Sequence, residues 1–196
     1  MRIGLFGGSF NPPHAGHRLV ALQCLKRLRL DAVWMLVSPG NPLKDNAGLP
    51  TIGERVAAVR QAVRHPRVHV TGFEAERGFT YTYETVRFLI SSLPDRRFVW
   101  IMGGDSLAGL HRWQRWREIA DLLPMAVYSR PGTSLRAPFS RAAVALARYR
   151  LDESDAAWLA DCRPPAWVYL TGLMSGLSST KIRAAEATRG AIASFS

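Results

Sequence analysis

Short apolar, β-rich runs recur along the chain and alternate with longer stretches whose apolar residues fall at helical spacing. The runs at residues 2–6, 33–37, 68–71, 98–102, 125–129 and 167–170 are nearly continuous in Val, Ile, Leu, Met, Phe and Trp. That pattern predicts strands covered on both faces. Between them, residues 15–28 carry Leu22, Leu25 and Leu28 on one helical face, and residues 51–64 carry Val56, Val59 and Val63. Residues 82–91 carry Val86, Leu89 and Ile90 and stop before Pro94. Residues 111–123 carry Trp113, Trp116, Ala120 and Leu123. Further helices are predicted over 141–149, 153–161 and 179–189. Strand alternating with helix implies an α/β fold, an open parallel sheet with helices on both faces. In such sheets ligands gather at the carboxyl ends of the strands, near the switch point of the strand order. The loops after the first, second, fourth and fifth strands are therefore the places to look for chemistry.

Composition adds bounds rather than a site. A chain of 196 residues with 47% hydrophobic and 21% charged positions suits one domain, residues 1–196, with a sizeable core. No run approaches the roughly 18 apolar residues of a membrane span. Residues 1–6 hold one basic residue and too short an apolar run for a signal peptide, so they read as a first strand. Cys24 and Cys162 have no metal or redox spacing, and Cys24 on a helix reads as a small buried hydrophobe. A cytoplasmic, reducing setting is expected. The formal charge is +11, and only Lys26, Lys44 and Lys181 among the 26 basic residues are not arginine. Excess positive charge attracts polyanions or anionic small molecules but also describes a merely solvated surface.

The loop after the first strand is more informative. It reads Gly7-Gly8-Ser9-Phe10-Asn11-Pro12-Pro13-His14-Ala15-Gly16-His17 and opens a helix. Glycines let backbone approach an anion, and a helix N-terminus offers free N–H groups and partial positive charge. The spacing is neither that of a Walker A loop nor of the dinucleotide fingerprint. Its signal is the pair His14 and His17, three residues apart and so on one face of the first turn. Imidazoles there can donate to phosphate oxygens. Near the other end of the chain, Gly176-Leu177-Ser178-Ser179-Thr180-Lys181-Ile182-Arg183 reads as a second helix start, rich in hydroxyls and bases.

These two segments resemble the HxGH loop and the SSTxxR element of the nucleotidylyltransferase superfamily, in the same order. The resemblance extends along most of the chain. Ser38-Pro39-Gly40-Asn41-Pro42-Leu43-Lys44, Glu74 with 77–85, Gly103-Gly104-Asp105 through Trp113, and Ser129-Arg130-Pro131-Gly132 are similar to segments of bacterial nicotinate-nucleotide adenylyltransferases. Two departures stand out: Asn11 occupies a position where many members carry Asp, and the loop after Pro42 lacks the Pro-Pro-His of some members.

The resemblance implies a Rossmann-like fold and adenylyl transfer from ATP to nicotinate mononucleotide, with release of pyrophosphate. It implies that His14, His17 and Arg183 act in catalysis. Gly7, Gly8, Ser9, Phe10, Gly103, Asp105, Ser179 and Thr180 would hold ATP. Asn41, Lys44, Thr82, Trp113 and Arg130 would hold the acceptor, with Trp113 stacked on the pyridine ring. Trp113 and Trp116 share a face in the predicted helix, so a plain core role is the competing reading. Mg²⁺ would arrive on ATP, with no metal site in the protein. The alternatives are another member of the superfamily, such as a pantetheine-phosphate adenylyltransferase or a cytidylyltransferase, and a basic nucleic-acid-binding protein, for which Arg112, Arg115 and Arg117 beside Trp113 and Trp116 are the local hint.

Overall fold

The structure, a computed structural model, describes residues 1–40, 43, 46–129 and 137–172. Among these, seven strands form one sheet in the order β3-β2-β1-β4-β5-β7-β6, every neighbouring pair parallel. They are β1 (Arg2–Gly8), β2 (Ala32–Val37), β3 (Val68–Thr71), β4 (Arg97–Gly103), β5 (Met125–Tyr128), β6 (Arg150–Leu151) and β7 (Trp167–Leu170). The helices are α1 (Ala15–Arg27), α2 (Ile52–Val63), α3 (Phe73–Glu76), α4 (Thr82–Ser92), α5 (Gly104–Gly109), α6 (Trp116–Leu122) and α7 (Arg141–Ala145).

The continuous apolar runs follow from burial on both faces. Side chains alternate across a strand, so β1, β2, β4, β5 and β7 each feed two cores. Phe6, Val33, Met35, Val37, Val99, Ile101 and Val168 face one core, completed by α1 and α2. Ile3, Leu5, Leu36, Phe98, Trp100, Met102 and Trp167 face the other, completed by α4 to α7. The two central strands of the order, β1 and β4, are joined in register from Arg2 against Arg97 to Phe6 against Ile101. The strand order reverses direction between them, and their carboxyl ends open on the same edge. That is the expected place for a ligand.

Three sequence expectations change. The helix expected over 111–123 is broken: residues 110–112 form a 3-10 turn, Trp113 is extended, Arg115 adopts φ 54°, and only then does α6 begin. Trp113 and Trp116 thus do not share one helix. Residues 141–149 divide into α7 and a 3-10 turn at 147–149, and 153–161 is 3-10 rather than α. The helix expected over 179–189 lies outside the described residues. No helix among the described residues is long and apolar enough to cross a membrane. Cys24 is fully buried, and burial pushes its thiol up to about 12, so it behaves as a small apolar side chain.

Candidate active site

The 7–17 segment leaves the sheet with its glycines still in β1, Gly7 opposite Leu36 and Gly8 opposite Val37. What lies against them leaves little room for a side chain. A Cβ at Gly7 would sit 2.8 Å from the Trp100 ring, and one at Gly8 would sit 3.2 Å from the Phe10 ring. Phe10 turns the chain with φ 46° and buries its ring edge-on to Phe6 and to His17, the latter at 5.0 Å. Phe10 can therefore meet a ligand only through its backbone.

The turn ends on two stacked imidazoles, whose centroids are 3.7 Å apart with 27° between planes. His14 is the N-cap of α1. Its Nδ1 accepts the Gly16 N–H at 3.1 Å, while His17 Nδ1 reaches back to accept the His14 N–H at 3.2 Å. This is a capping box built from nitrogen acceptors instead of oxygen. It fixes the tautomer. With both Nδ1 atoms accepting, the neutral rings carry their hydrogens on Nε2, which is where each can donate. Both residues are buried, and the first turn of α1 contains no acid. The first turn of α1 thus supplies no negative charge of its own to the positive end of the helix.

Arg55, which the sequence reading did not single out, ties this turn to its neighbour. It is buried on α2, and its guanidinium donates to the carbonyls of Ser9 (3.2 Å), Ser38 (2.7 Å), Pro39 (3.1 Å) and Pro50 (3.0 Å). Burial lowers its pKa from the usual arginine value. A signal existed in the sequence. Position 55 lies four before Val59 and eight before Val63, on the stripe that α2 buries.

On the other side of the switch point, β4 ends at Gly103, the buried N-cap of α5, and Asp105 stands exposed in that helix's first turn. Trp113 meets Trp100 edge-to-face at 6.2 Å, and Trp100 is the ring that packs under Gly7. The sheet thus brings Trp113 beside the end of β1. The Arg115 guanidinium lies 4.3 Å from the Tyr83 ring and so links this segment to the start of α4. There Thr82 is the first helical residue, and Glu84 accepts the N–H groups of Thr80 and Tyr81, both at 2.9 Å. Behind them Glu74 is buried and takes the Thr85 hydroxyl at 2.6 Å. Burial raises its pKa, and that hydrogen bond pulls the other way.

Of the site residues expected from sequence, Gly7, Gly8, Ser9, Phe10, His14, His17, Gly103, Asp105, Thr82 and Trp113 thus stand along the carboxyl edge of β1 and β4 and in the segments packed on it. Asn41, Lys44, Arg130, Ser179, Thr180 and Arg183 lie outside the described residues. The chain leading to the last three is anchored. Glu153 accepts the Thr171 N–H at 2.7 Å, and Arg27 donates to both Glu153 and the Thr171 carbonyl at 2.5 Å.

The chain is similar to known proteins in sequence and in fold. The cytidylyltransferase-like family model matches residues 5–185. A protein of Bradyrhizobium sp. strain BTAi1, named "Probable nicotinate-nucleotide adenylyltransferase", is 57% identical over 93% of this chain and 95% of its own. A Methylorubrum extorquens protein of the same name is 55% identical over 93% and 99%. The solved Plasmodium falciparum nicotinic acid mononucleotide adenylyltransferase in complex with NaAD shares the fold. Its TM-score is 0.67 at 14% identity, over 93% of this chain and 82% of that one. By these matches the chain belongs to the cytidylyltransferase-like family and, within it, to the nicotinate-nucleotide adenylyltransferases.

Proposed function

We infer that this protein, acting as one domain over residues 1–196, joins the adenylyl group of ATP to the phosphate of nicotinate mononucleotide and releases pyrophosphate, a step of NAD synthesis. The observation that carries the reading is the imidazole-capped start of α1 at the β1–β4 switch point, in a chain more than half identical to adenylyltransferases of that name.

The chemistry needs little acid–base work. A phosphate monoester has its second pKa near about 6, so the acceptor is already an ionised nucleophile at neutral pH. What remains is alignment and charge stabilisation. His14 and His17 donate from Nε2 to the phosphates of ATP as negative charge shifts toward the leaving pyrophosphate, with the amides of α1 behind them. The backbone of Gly7, Gly8, Ser9 and Phe10 seats the nucleotide, and Gly103 and Asp105 meet its ribose. Ser179, Thr180 and Arg183 take the outer phosphates. Among the described residues no three His, Cys, Asp or Glu converge on an ion. A divalent cation, Mg²⁺ in this reading, would arrive with ATP and lower the charge of its phosphates.

On the acceptor side Trp113 stacks on the pyridine ring. Asn41, Lys44 and Arg130 receive the mononucleotide. The Thr82 end of α4 takes the ring carboxylate. Glu84 already occupies the Thr80 and Tyr81 amides, so the carboxylate has the first-turn amides of Thr82 and Tyr83 and the neighbouring Arg115 charge. In this reading those amides and the Arg115 charge favour nicotinate over the uncharged nicotinamide, against the Glu84 and Glu118 carboxylates nearby.

The test is pyrophosphate release from Mg·ATP with nicotinate mononucleotide, nicotinamide mononucleotide and phosphopantetheine in parallel. Fast release with the first alone is the expected result. Equal kcat/KM for the two pyridine mononucleotides would remove the Thr82 assignment, and release with phosphopantetheine alone would remove the acceptor.

A further inference from the structure

The two halves of the site sit on different loops. Ser9 belongs to the turn that leads into His14, on the ATP side. Ser38 and Pro39 open the loop that carries Asn41 and Lys44, on the acceptor side. β1 and β2 are adjacent, and the ladder between them ends where Ser38 N–H meets the Gly8 carbonyl at 3.0 Å. Beyond that point no strand pairing among the described residues fixes one loop against the other. The Arg55 guanidinium spans the gap: Nη1 donates to both Ser9 and Ser38, Nη2 donates to Pro39, and Nε donates to Pro50 at the approach to α2. No carboxylate among the described residues pairs with it. A buried cation held only by carbonyl dipoles is costly, and a neutral residue of similar shape would avoid that cost. What an uncharged or shorter residue would lose is the planar fork of donors that reaches three backbone segments at once.

We propose that Arg55 is a positioning residue for adenylyl transfer, setting the separation of the ATP loop and the acceptor loop by clamping their carbonyls on one guanidinium. It does not touch the reacting atoms. It fixes the distance between the incoming phosphate oxygen and the α-phosphorus, and misplacing reacting groups by about 1 Å can cost on the order of 10²-fold in rate. The proposal rests on the reaction given above.

The experiment compares wild type, Arg55→Ala and Arg55→Lys for kcat, for the KM of each substrate and for ATP affinity by calorimetry, with the folded fraction of each taken from circular dichroism. In Arg55→Ala, kcat per folded molecule is expected to fall on the order of 10²-fold, more than either KM rises. Millimolar guanidinium chloride is expected to restore part of it saturably, where equimolar urea does not. Arg55→Lys keeps the charge and loses the fork, and should still fall by about tenfold. A residue that only stabilised the fold would lower the melting temperature and leave kcat per folded molecule unchanged. That result in Arg55→Ala overturns the proposal, and so does wild-type kcat in Arg55→Lys should the alanine variant fail to fold. Absence of turnover in the wild type would instead strike the reaction. ATP affinity then decides for Arg55, since weaker binding by Arg55→Lys is expected and unchanged binding overturns the clamp.

Discussion

α1 and α2 start with the same device and end up with opposite character. Each opens on a capping box, in which the N-cap side chain accepts an N–H inside the first turn and the third residue reaches back to the N-cap amide. In α2 the pair is Thr51 and Glu54, and the glutamate also takes the Thr51 hydroxyl at 2.7 Å. Its carboxylate neutralises the helix terminus. In α1 the pair is His14 and His17, with neutral nitrogens as acceptors and N–H donors on the far side of the rings. One terminus carries an anion in its own first turn; the capping groups of the other are imidazoles and bring none. Local geometry alone does not make a helix start a phosphate site. Between these two helices the difference is that the capping groups of α2 bring a negative charge of their own and those of α1 do not.

The comparison can be broken by converting one terminus into the other. His17→Glu should preserve the box and the fold while placing a carboxylate where phosphate is to bind. Its kcat should fall further than that of His17→Ala, itself expected to lose on the order of 10²–10³, with the melting temperature of His17→Glu at or above that of His17→Ala. Steady-state kinetics beside thermal unfolding checks both, and near wild-type turnover in a folded His17→Ala would sink the role given to the histidines. The reciprocal test is smaller. Thr51→Ala removes an N-cap and should cost about 1 kcal/mol of stability with turnover unchanged, read from denaturant unfolding and the same assay. The smallest effect concerns pH. Hydrogen bonds from the Thr51 hydroxyl and then from its amide hold the Glu54 carboxyl below the usual glutamate value. Its contribution is therefore present above the unfolded-state pKa and is lost as pH falls through the lower folded value. Unfolding midpoints of wild type and Glu54→Gln should differ by a constant amount near neutrality and converge on acidification. A gap that widens toward low pH would contradict this.

The comparison also bears on what could be read from the chain. Six strands were legible to within two residues; in all but β3 both faces are buried, so their apolar runs have sharp edges. β6, two residues at the sheet margin, offers no such run. The break at Trp113–Arg115 was hidden because no Gly or Pro marks it. Arg115 adopts positive φ and contacts Tyr83 and Glu118, one distant and one near in sequence. α5 was missed because Gly-Asp-Ser-Leu-Ala-Gly has poor helix propensity, and burial of Leu107 overrides it. His14 and His17 were legible because their roles lie within four residues. Arg55 was not, because its partners come from three separate segments, although its position on the buried stripe of α2 was a signal.

The imidazole cap also has an evolutionary consequence. At α1 the groups that end the helix are the groups assigned to the phosphates. A lineage selected only to stay folded would still need an acceptor at position 14, but Ser, Asp or Asn would serve as well there, and Glu or Gln would serve at position 17. Histidine at both positions is thus not explained by folding. In a diverging copy of this sequence, drift of either histidine to a standard oxygen cap would be silent in stability. It would mark the point at which demand for the activity had lapsed.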